Sequence, residues 1–217
     1  PDVKFEHATG YMRADNVATY GARFYEGRTI SGHIAGHLTK TNTIGYIASF
    51  PIPEVVRGIN AFYLAASKVN PDIKIKIIWA FTWYDPGKEA DAAKTLINQG
   101  ADILVQHTDT FAPCQEAEKA GVLAFGQASN QEEFCPNSHL TAIEDVWGPY
   151  YANRAKAVVD GTWSSTDTWD GMDKGMVVMS PYNAKLMSSD LIQEAVAMEI
   201  ALKDGSMHSF EGPIYNQ

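Results

Sequence analysis

The regular alternation of strand-like and helix-like segments constrains the fold of this chain most strongly. Short apolar runs that suit buried strands are separated by segments whose apolar residues recur at helical spacing. The strand-like runs are 43–49, 73–81, 102–106, 122–125, 139–143 and 176–179. The helix-like segments are 55–69, 86–99, 111–120, 145–159 and 191–202. Strands alternating with helices of this length predict βαβ units, a parallel sheet and the α/β fold class.

Local signals mark the ends of two of these helices. Asp85 followed by Pro86 is a strong helix-start signal, because the aspartate can cap the helix and proline suits its first position. Gly100 is expected to end this helix, and Gly121 is expected to end the helix over 111–120. The boundaries therefore place two large aromatics, Trp83 and Tyr84, directly before a helix start.

Composition excludes several classes of protein. The chain of 217 residues is 45% hydrophobic and 20% charged, as in a globular protein with a real core. Its formal net charge is −9 and its sequence has no cluster of Lys and Arg, so a nucleic-acid partner is not expected. Its sequence has no apolar run of about 20 residues, so no membrane-spanning segment is predicted. Cys114 and Cys135 form no CxxC pair, and two free thiols are expected, a single disulfide being the alternative.

A candidate ligand site follows from the predicted sheet. Open parallel sheets bind ligands at the carboxyl ends of their strands, so the residues of the site are expected in the segments that follow the strands. These segments are rich in aromatic, amide and carboxylate groups and carry no positive charge. Their candidate residues are Phe50, Trp83, Thr108, Asp109, Gln127, Ser129, Asn130 and Trp147. Such a set favours an uncharged flat ring that stacks on an indole while polar groups read its edge.

Each candidate also has a structural explanation. Trp83 can be a core or interface residue, and Tyr84 is expected to pack within the protein. Asp109 can cap the helix that follows it, and Asn130 can be a turn residue. His107 is interpreted as a hydrogen-bonded structural histidine rather than a ligand contact.

The sequence has no established catalytic motif. GxSxG, the P-loop, GxGxxG and HExxH are all absent, and no nucleophile stands with its base. His33 and His37 lie four residues apart in HIAGH, on one face of an expected helix, which is a spacing that can hold a metal ion. Because no third ligand is apparent, neither a metal site nor a cofactor is expected. Binding is favoured over catalysis.

Long segments of the chain resemble the basic membrane protein family, the substrate-binding proteins of ABC transporters for purine nucleosides and related ligands. The similarity runs from Ala8 to Trp163. Its matching segments are HATGYMRADNVATYGARFYEGRTISGHIAGHLTKTNTIGYIASFPIPEVVRGINAF, TWYDPGKEADAAKTLINQGADILVQHTD, WGPYY and DGTW. The resemblance implies the type I periplasmic-binding-protein fold, with two doubly wound α/β lobes, three crossover segments and a ligand clamped between the lobes.

The resemblance also implies that the sequence is a fragment whose first lobe is mostly missing. Residues 1–15 are expected to be the end of that lobe and the first crossover, and residues 16–142 to be the second lobe. Residues 143–163 are expected to return to the first lobe as a helix, and residues 164–217 to cross back into the second. The signal peptide and any lipid anchor would then lie outside this sequence.

The family's site residues can be carried over only where its motifs match. Its stacking aromatic corresponds to Trp83. Where nucleoside-binding members have the acidic GxDSD turn, this chain reads GQASN, so Ala128 and Asn130 replace the two acids. The basic residue of the next segment is also missing. These departures remove the contacts to ribose and favour a free purine base, adenine first, which Gln127, Asn130 and Asp109 would recognise.

The expected function is therefore that of an extracytoplasmic solute-binding protein, periplasmic or at the bacterial cell surface. It is expected to be a monomer that binds a purine base or nucleoside and meets a transporter permease, with no cofactor and no catalysis. A ligand-sensing domain of a receptor or transcription regulator would share this fold and is one alternative. A nucleoside-processing enzyme on the same scaffold is the other.

Overall fold

The computed structural model describes residues 2–212 and confirms the α/β class, with two separate sheets. The strands are β1 (Phe5–Ala8), β2 (Val17–Ala22), β3 (Thr43–Ala48), β4 (Lys74–Trp79), β5 (Ile103–His107), β6 (Leu123–Ala128), β7 (His139–Asp145), β8 (Asp167–Asp170) and β9 (Val177–Met179). The helices are α1 (Tyr25–Leu38), α2 (Pro53–Val69), α3 (Pro86–Asn98), α4 (Ala112–Ala120), α5 (Gly148–Val159) and α6 (Ser189–Asp204). Short 3₁₀ turns span Glu132–Phe134 and Met172–Lys174.

The larger sheet has six strands in the order β4-β3-β5-β6-β7-β9. The first five are parallel, and β9 runs antiparallel to β7. At the end of β3, Ala48 is paired with Trp79 of β4 and with His107 of β5. The carboxyl ends of these strands therefore lie side by side, and the segments that follow them share one edge of the sheet.

Helices cover both faces of this sheet because the side chains of each strand alternate in direction. On β3, Ile44 and Tyr46 belong to the main core with α1, α2 and α6. Ile47 points to the opposite face, where a second cluster includes Ala93 and Leu96 of α3. The middle strands are buried on both sides, which explains why they read as nearly continuous apolar runs.

The smaller sheet consists of β1, β2 and β8, all parallel. Tyr20 of β2 contacts α5 through Tyr150 and Tyr151. The chain passes between the two sheets three times: after Ala22, after Asp145 and after Asp170. β2, which the sequence analysis placed in the second lobe, is paired in the small sheet, and so is β8. The division into lobes itself stays a prediction.

The expected helix ends are confirmed at α3 and α4. The Asp85 side chain caps α3 by accepting a hydrogen bond from the Lys88 backbone N–H, and Pro86 is its first residue. Gly121 ends α4 with a φ of +67°. The helix expected from residue 145 begins later, at Gly148. The reason is that β7 continues to Asp145, which pairs with Val177 of β9.

The preferred prediction of two free thiols is wrong, because Cys114 and Cys135 form a disulfide. The bond joins the first turn of α4 to the residue that follows the 3₁₀ turn, and both cysteines are fully buried. Their Cα atoms are 5.7 Å apart although 21 residues separate them in the chain. That proximity arises from tertiary packing, which the spacing of the two cysteines in the sequence does not indicate. Within residues 2–212, no helix is long and apolar enough to cross a membrane.

Gly32 allows α1 and α2 to pack closely, and its replacement tests this contact. A Cβ added at Gly32 would lie 2.2 Å from the Phe62 carbonyl oxygen. We therefore expect Gly32→Ala to lower the free energy of unfolding by about 1–3 kcal/mol, measured by urea denaturation. Helix propensity alone predicts a gain of up to about 1 kcal/mol.

Gly148→Ala is the matched control, since no described atom lies within 4 Å of a Cβ added at that helical position. The control should change stability by less than about 1 kcal/mol, because alanine has the higher helix propensity but a Cβ directly before Pro149 disfavours the helical conformation. A Gly32→Ala protein as stable as the Gly148→Ala protein would show that the α1–α2 contact tolerates a side chain.

Candidate functional site

Three rings meet at the carboxyl ends of β3, β4 and β5. The Trp83 ring centroid lies 5.6 Å from that of Phe50 and 6.1 Å from that of His107. Trp83 is 39% exposed, whereas His107 is buried. The Asp109 backbone N–H donates to the Trp83 carbonyl at 2.8 Å, which joins the two loops. The indole is thus supported by neighbouring rings while part of its surface stays accessible.

Glu89, a fully buried residue of α3, fixes both of these loops. Its Oε1 accepts from the Asp85 backbone N–H at 3.0 Å. Its Oε2 accepts from the Thr110 hydroxyl at 2.6 Å and from the Thr110 backbone N–H at 3.2 Å. One carboxylate therefore joins the segment after β4 to the segment after β5, which positions Trp83 beside Asp109.

Arg28 reaches the same edge of the sheet from α1. Its side chain is fully buried, and its Nη2 donates to the Gln106 carbonyl at 2.6 Å and to Gln127 Oε1. The guanidinium also lies over the rings of Phe24 and Tyr46, 5.0 and 5.5 Å from their centroids. Burial lowers the pKa of Arg28 from its ordinary value. The site therefore contains a positive charge, which corrects the expectation of a site without one.

Three carboxyl groups near this edge, those of Glu54, Asp109 and Asp145, have raised pKa values, and Asp145 is the one that interacts with Arg28. For Asp145, burial and the nearby Glu54 raise the pKa to about 7, although Arg28 acts in the opposite direction. Burial raises the pKa of Glu54, which Arg57 lowers and Asp109 raises further, and burial, together with Glu89, raises that of Asp109. At Asp145 burial and the two neighbouring carboxyl groups outweigh the effect of Arg28, so Asp145 retains a proton near neutral pH.

His107 is neutral at physiological pH. Its pKa falls to about 3, mainly because the ring is buried and also because Arg28 is nearby. Its Nε2 lies 3.9 Å from Glu54 Oε1, and its Nδ1 has no hydrogen-bonding partner among residues 2–212. The imidazole can therefore offer one donor and one acceptor without a charge.

Several other buried polar atoms at this edge have no hydrogen-bonding partner within the described part of the chain. They are Arg28 Nε and Nη1, Ser49 Oγ, Thr108 Oγ1 and Asp145 Oδ1. Buried polar atoms are nearly always paired in folded proteins, and clusters of exceptions call for an explanation. A ligand with a flat polar ring needs a surface on which to stack and groups with which to form hydrogen bonds, and this edge offers an accessible indole beside donors and acceptors.

The structure brings together most of the predicted site residues, while their roles stay predictions. Phe50, Trp83, Thr108, Asp109 and Gln127 lie at this edge of the sheet. Asp109 does not cap α4, since the Ala112 N–H bonds the Thr110 hydroxyl instead. Tyr84 does not pack inside the protein, because it is 68% exposed.

The remaining three predicted residues are placed differently. Asn130 forms a turn in which its Oδ1 accepts from the Glu132 N–H at 2.9 Å. Ser129 is exposed beside it. Trp147 packs against Tyr20 and Tyr151, in the aromatic cluster of the small sheet and α5.

Arg28, Glu54 and Asp145 were not identified as site residues from the sequence. Arg28 and Glu54 lie on helices, whereas candidate residues were expected only in the segments that follow strands. Asp145 lies in the segment after the fifth predicted strand, but nothing in its local sequence distinguishes it from Glu144. Residues 25–32 of α1 are all buried, but their sequence contains no signal that distinguishes Arg28 from an exposed helical arginine.

A groove of about 410 Å³ lies elsewhere, between the start of α1 and the end of α6. Three of its charged groups are paired with one another, since Arg23 Nε donates to Glu26 at 2.6 Å and Arg23 Nη2 donates to Asp173. The residues that line the groove include no indole, so the edge around Trp83 is the better candidate.

Removal of the Glu89 carboxylate should destabilise the protein. Glu89→Ala leaves the Asp85 and Thr110 N–H groups without their acceptor, at a cost of about 2–3 kcal/mol in the free energy of unfolding. Asp91→Ala, two residues further along α3, is the control. Its side chain is 82% exposed, so the change should stay within about 0.5 kcal/mol. Equal effects of the two variants in urea denaturation would contradict the role of Glu89.

The raised pKa of Asp145 makes stability depend on pH. The folded chain holds a proton up to a pH of about 7, whereas an unfolded aspartate loses it near 4. The folded state therefore binds more protons between these values, and stability falls as the pH rises through this window. From pH 5.5 to 7.5 this group should cost about 2 kcal/mol.

Asp145→Asn should remove this contribution. Urea denaturation of both proteins at pH 5.5 and 7.5, without ligand, measures the difference. We expect the wild-type protein to lose about 2 kcal/mol more than the variant over this interval. The same pH dependence in both would mean that Asp145 titrates normally.

Comparisons with known proteins identify the family of this chain. A model of the Bmp family, described as ABC transporter substrate-binding protein PnrA-like, matches residues 1–216. Over 217 residues the chain is 54% identical to a purine-binding protein of Brucella abortus, covering all of this chain and 61% of that protein. It is 36% identical to a putative ABC transporter glucose-binding protein of Haloferax volcanii, covering 94% of this chain and 52% of that protein. The chain thus spans little more than half the length of these relatives.

Solved structures support the fold alone. An ABC transporter solute-binding protein from Aeropyrum pernix superposes with a TM-score of 0.80 at 18% identity, covering 94% of this chain and 69% of that one. One from Conexibacter woesei superposes with a TM-score of 0.72 at 22% identity, covering 97% and 73%. Both indicate the periplasmic-binding-protein architecture of type I.

The family match, the identity to the Brucella protein and the fold agree with one another. The family and these relatives are binding proteins rather than enzymes, and such proteins typically act outside the cytoplasm. This chain belongs to the Bmp family, the PnrA-like substrate-binding proteins of ABC transporters.

Proposed function

We propose that this chain forms the ligand-binding part of an ABC importer's solute-binding protein and that its ligand is a free purine base, adenine first. The observation that carries the proposal is the accessible indole of Trp83 beside a set of buried, unpartnered polar groups. The 54% identity to a protein named as purine-binding supports the class of ligand. A purine base presents a flat face for stacking and an edge of donors and acceptors.

The polar groups suit the edge of adenine. Gln127 Oε1 accepts from Arg28, so the amide presents its NH₂ group to a ring nitrogen. Asp109 and Asp145 can accept from the exocyclic amine. The carboxyl groups of Glu54, Asp109 and Asp145, which raise one another's pKa values, would disfavour a ligand that carries phosphate.

The loop after β6 favours a base over a nucleoside. Ala128 and Asn130 stand where nucleoside-binding members have acids that meet the sugar, and Ala128 has no polar side-chain atom to offer. Asn130 Oδ1 is already occupied by the Glu132 N–H. Neither position therefore supplies the carboxylate, a stronger acceptor than a neutral amide, that nucleoside-binding members use for ribose hydroxyls, which supports a ligand without a sugar.

Binding would proceed by closure of two lobes around the base. The three passages of chain between the sheets, after Ala22, Asp145 and Asp170, are the segments about which such lobes would move. The closed form would be recognised by a permease, and no bond of the ligand would be made or broken. The disulfide between Cys114 and Cys135 fits an oxidising, extracytoplasmic compartment.

Substitution of Trp83 tests the stacking role. Stacking of a base on an aromatic ring contributes about 1–3 kcal/mol, so Trp83→Ala should weaken adenine binding roughly 5- to 150-fold. Isothermal titration calorimetry of the natural protein that contains this chain, with adenine, adenosine and guanosine, measures the change. Tyr84→Ala is the matched control, because Tyr84 is the adjacent aromatic and is 68% exposed. It should bind adenine as the wild type does.

The same titrations separate the parts of the proposal. Tighter binding of adenosine than of adenine would contradict the free-base ligand while leaving a purine site in place. Equal losses in the two variants would contradict stacking on Trp83. No binding of any purine by the wild type would overturn the ligand class altogether.

A further inference from the structure

Three metal-ligating side chains meet on the outer side of α1, apart from the edge of the sheet described above. His33 and His37 lie one helical turn apart on α1, with ring centroids 4.7 Å apart. Glu194 of α6 reaches both: its Oε2 lies 2.8 Å from His33 Nε2 and 3.5 Å from His37 Nε2. Glu194 is the third ligand that the HIAGH motif lacked in the sequence, 161 residues beyond His33.

The arrangement fits a metal ion better than a hydrogen bond alone. A single bond between His33 and Glu194 would need only one imidazole, yet both imidazoles turn towards the same carboxylate oxygen. One ligand atom from each residue lies within 4.8 Å of the others, so a small ion can contact all three. Two histidines and one carboxylate form a ligand set that zinc uses when its fourth position stays open.

The position is accessible and well supported. The side chains of His37 and Glu194 are 41% and 52% exposed, so an ion can enter from solvent. The helices that carry the ligands are held together by the main core, which includes Ile34 of α1 and Leu191 and Ala195 of α6. The ligands are therefore brought together by the fold before any ion binds, which lowers the cost of forming the site.

We propose that His33, His37 and Glu194 form a binding site for a divalent transition-metal ion, zinc being the ion that the ligands suit best. The ion fastens α6 to α1. α1 carries Arg28 into the candidate purine site and contacts α2 at Gly32, so the metal stabilises the helix on which that site depends. The proposal rests on its own geometry and does not require that the ligand be a purine.

The experiment uses protein without a histidine tag, freed of metal by chelation and titrated with ZnCl₂ in a calorimeter. We expect one ion per chain with a Kd of about 10 μM or below, and a melting temperature that rises with zinc and falls again with chelator. Cobalt(II) provides a second readout, since tetrahedral coordination gives strong visible absorption. His37→Ala and Glu194→Gln should each weaken zinc binding at least about tenfold, because each removes one of three protein ligands.

His208→Ala is the matched control, since His208 is an exposed histidine outside the cluster, and it should bind zinc as the wild type does. Glu194→Gln keeps the size of the side chain, and circular dichroism verifies that each variant is folded. Absence of saturable zinc binding by the wild type would overturn the proposal. So would equal zinc affinity in the wild type and in His33→Ala/His37→Ala. Either result leaves the purine titrations unaffected, so the two proposals can fail separately.

Discussion

The buried guanidinium of Arg28 is the interaction on which the edge of the large sheet depends. A buried charge is costly unless hydrogen bonds and opposite charges compensate it. Here the Gln106 carbonyl and Gln127 Oε1 accept its hydrogen bonds, which fastens α1 to the ends of β5 and β6. Asp145 interacts with this charge, but burial and the nearby Glu54 and Asp109 outweigh it, so Asp145 holds a proton that an exposed aspartate would release.

The position of Arg28 depends in turn on how α1 packs. Gly32 lets α1 approach the backbone of α2 at Phe62, one helical turn beyond Arg28. A wider separation of these helices would withdraw the guanidinium from the strand ends. On the other side of the site, Glu89 fixes the positions of Trp83 and Asp109, because it joins the loops that carry them. Packing on both faces of the sheet thus sets the geometry at its edge.

The elements that local sequence patterns determine could be predicted from the sequence. Apolar runs indicated β3 to β7 and β9, and Asp85-Pro86 indicated the start of α3. β1 and β8 were not predicted because they are four residues long and largely unburied at the edges of the small sheet. β2, the central strand, was not predicted because its sequence VATYGA has few large apolar residues. Residues on strand ends, such as Trp83 and Gln127, were predicted because parallel pairing alone brings them together. Arg28, Glu54, Glu194 and the disulfide partners meet only through the packing of helices and loops, which a single sequence does not reveal.

Asp145 connects the proposed contact with the ligand to the proposed movement of the lobes. It is the last residue of β7, and the chain leaves the large sheet for α5 directly after it. In the proposed complex, the exocyclic amine of adenine would donate a hydrogen bond to this carboxyl group. That bond would favour the ionised carboxylate and so lower the pKa of Asp145. Ligand binding then releases a proton near neutral pH, from a group at one of the three passages between the sheets. A purine base without an exocyclic amine would lack this donor, so the same carboxyl group that makes the ligand-free protein sensitive to pH would also discriminate between purines.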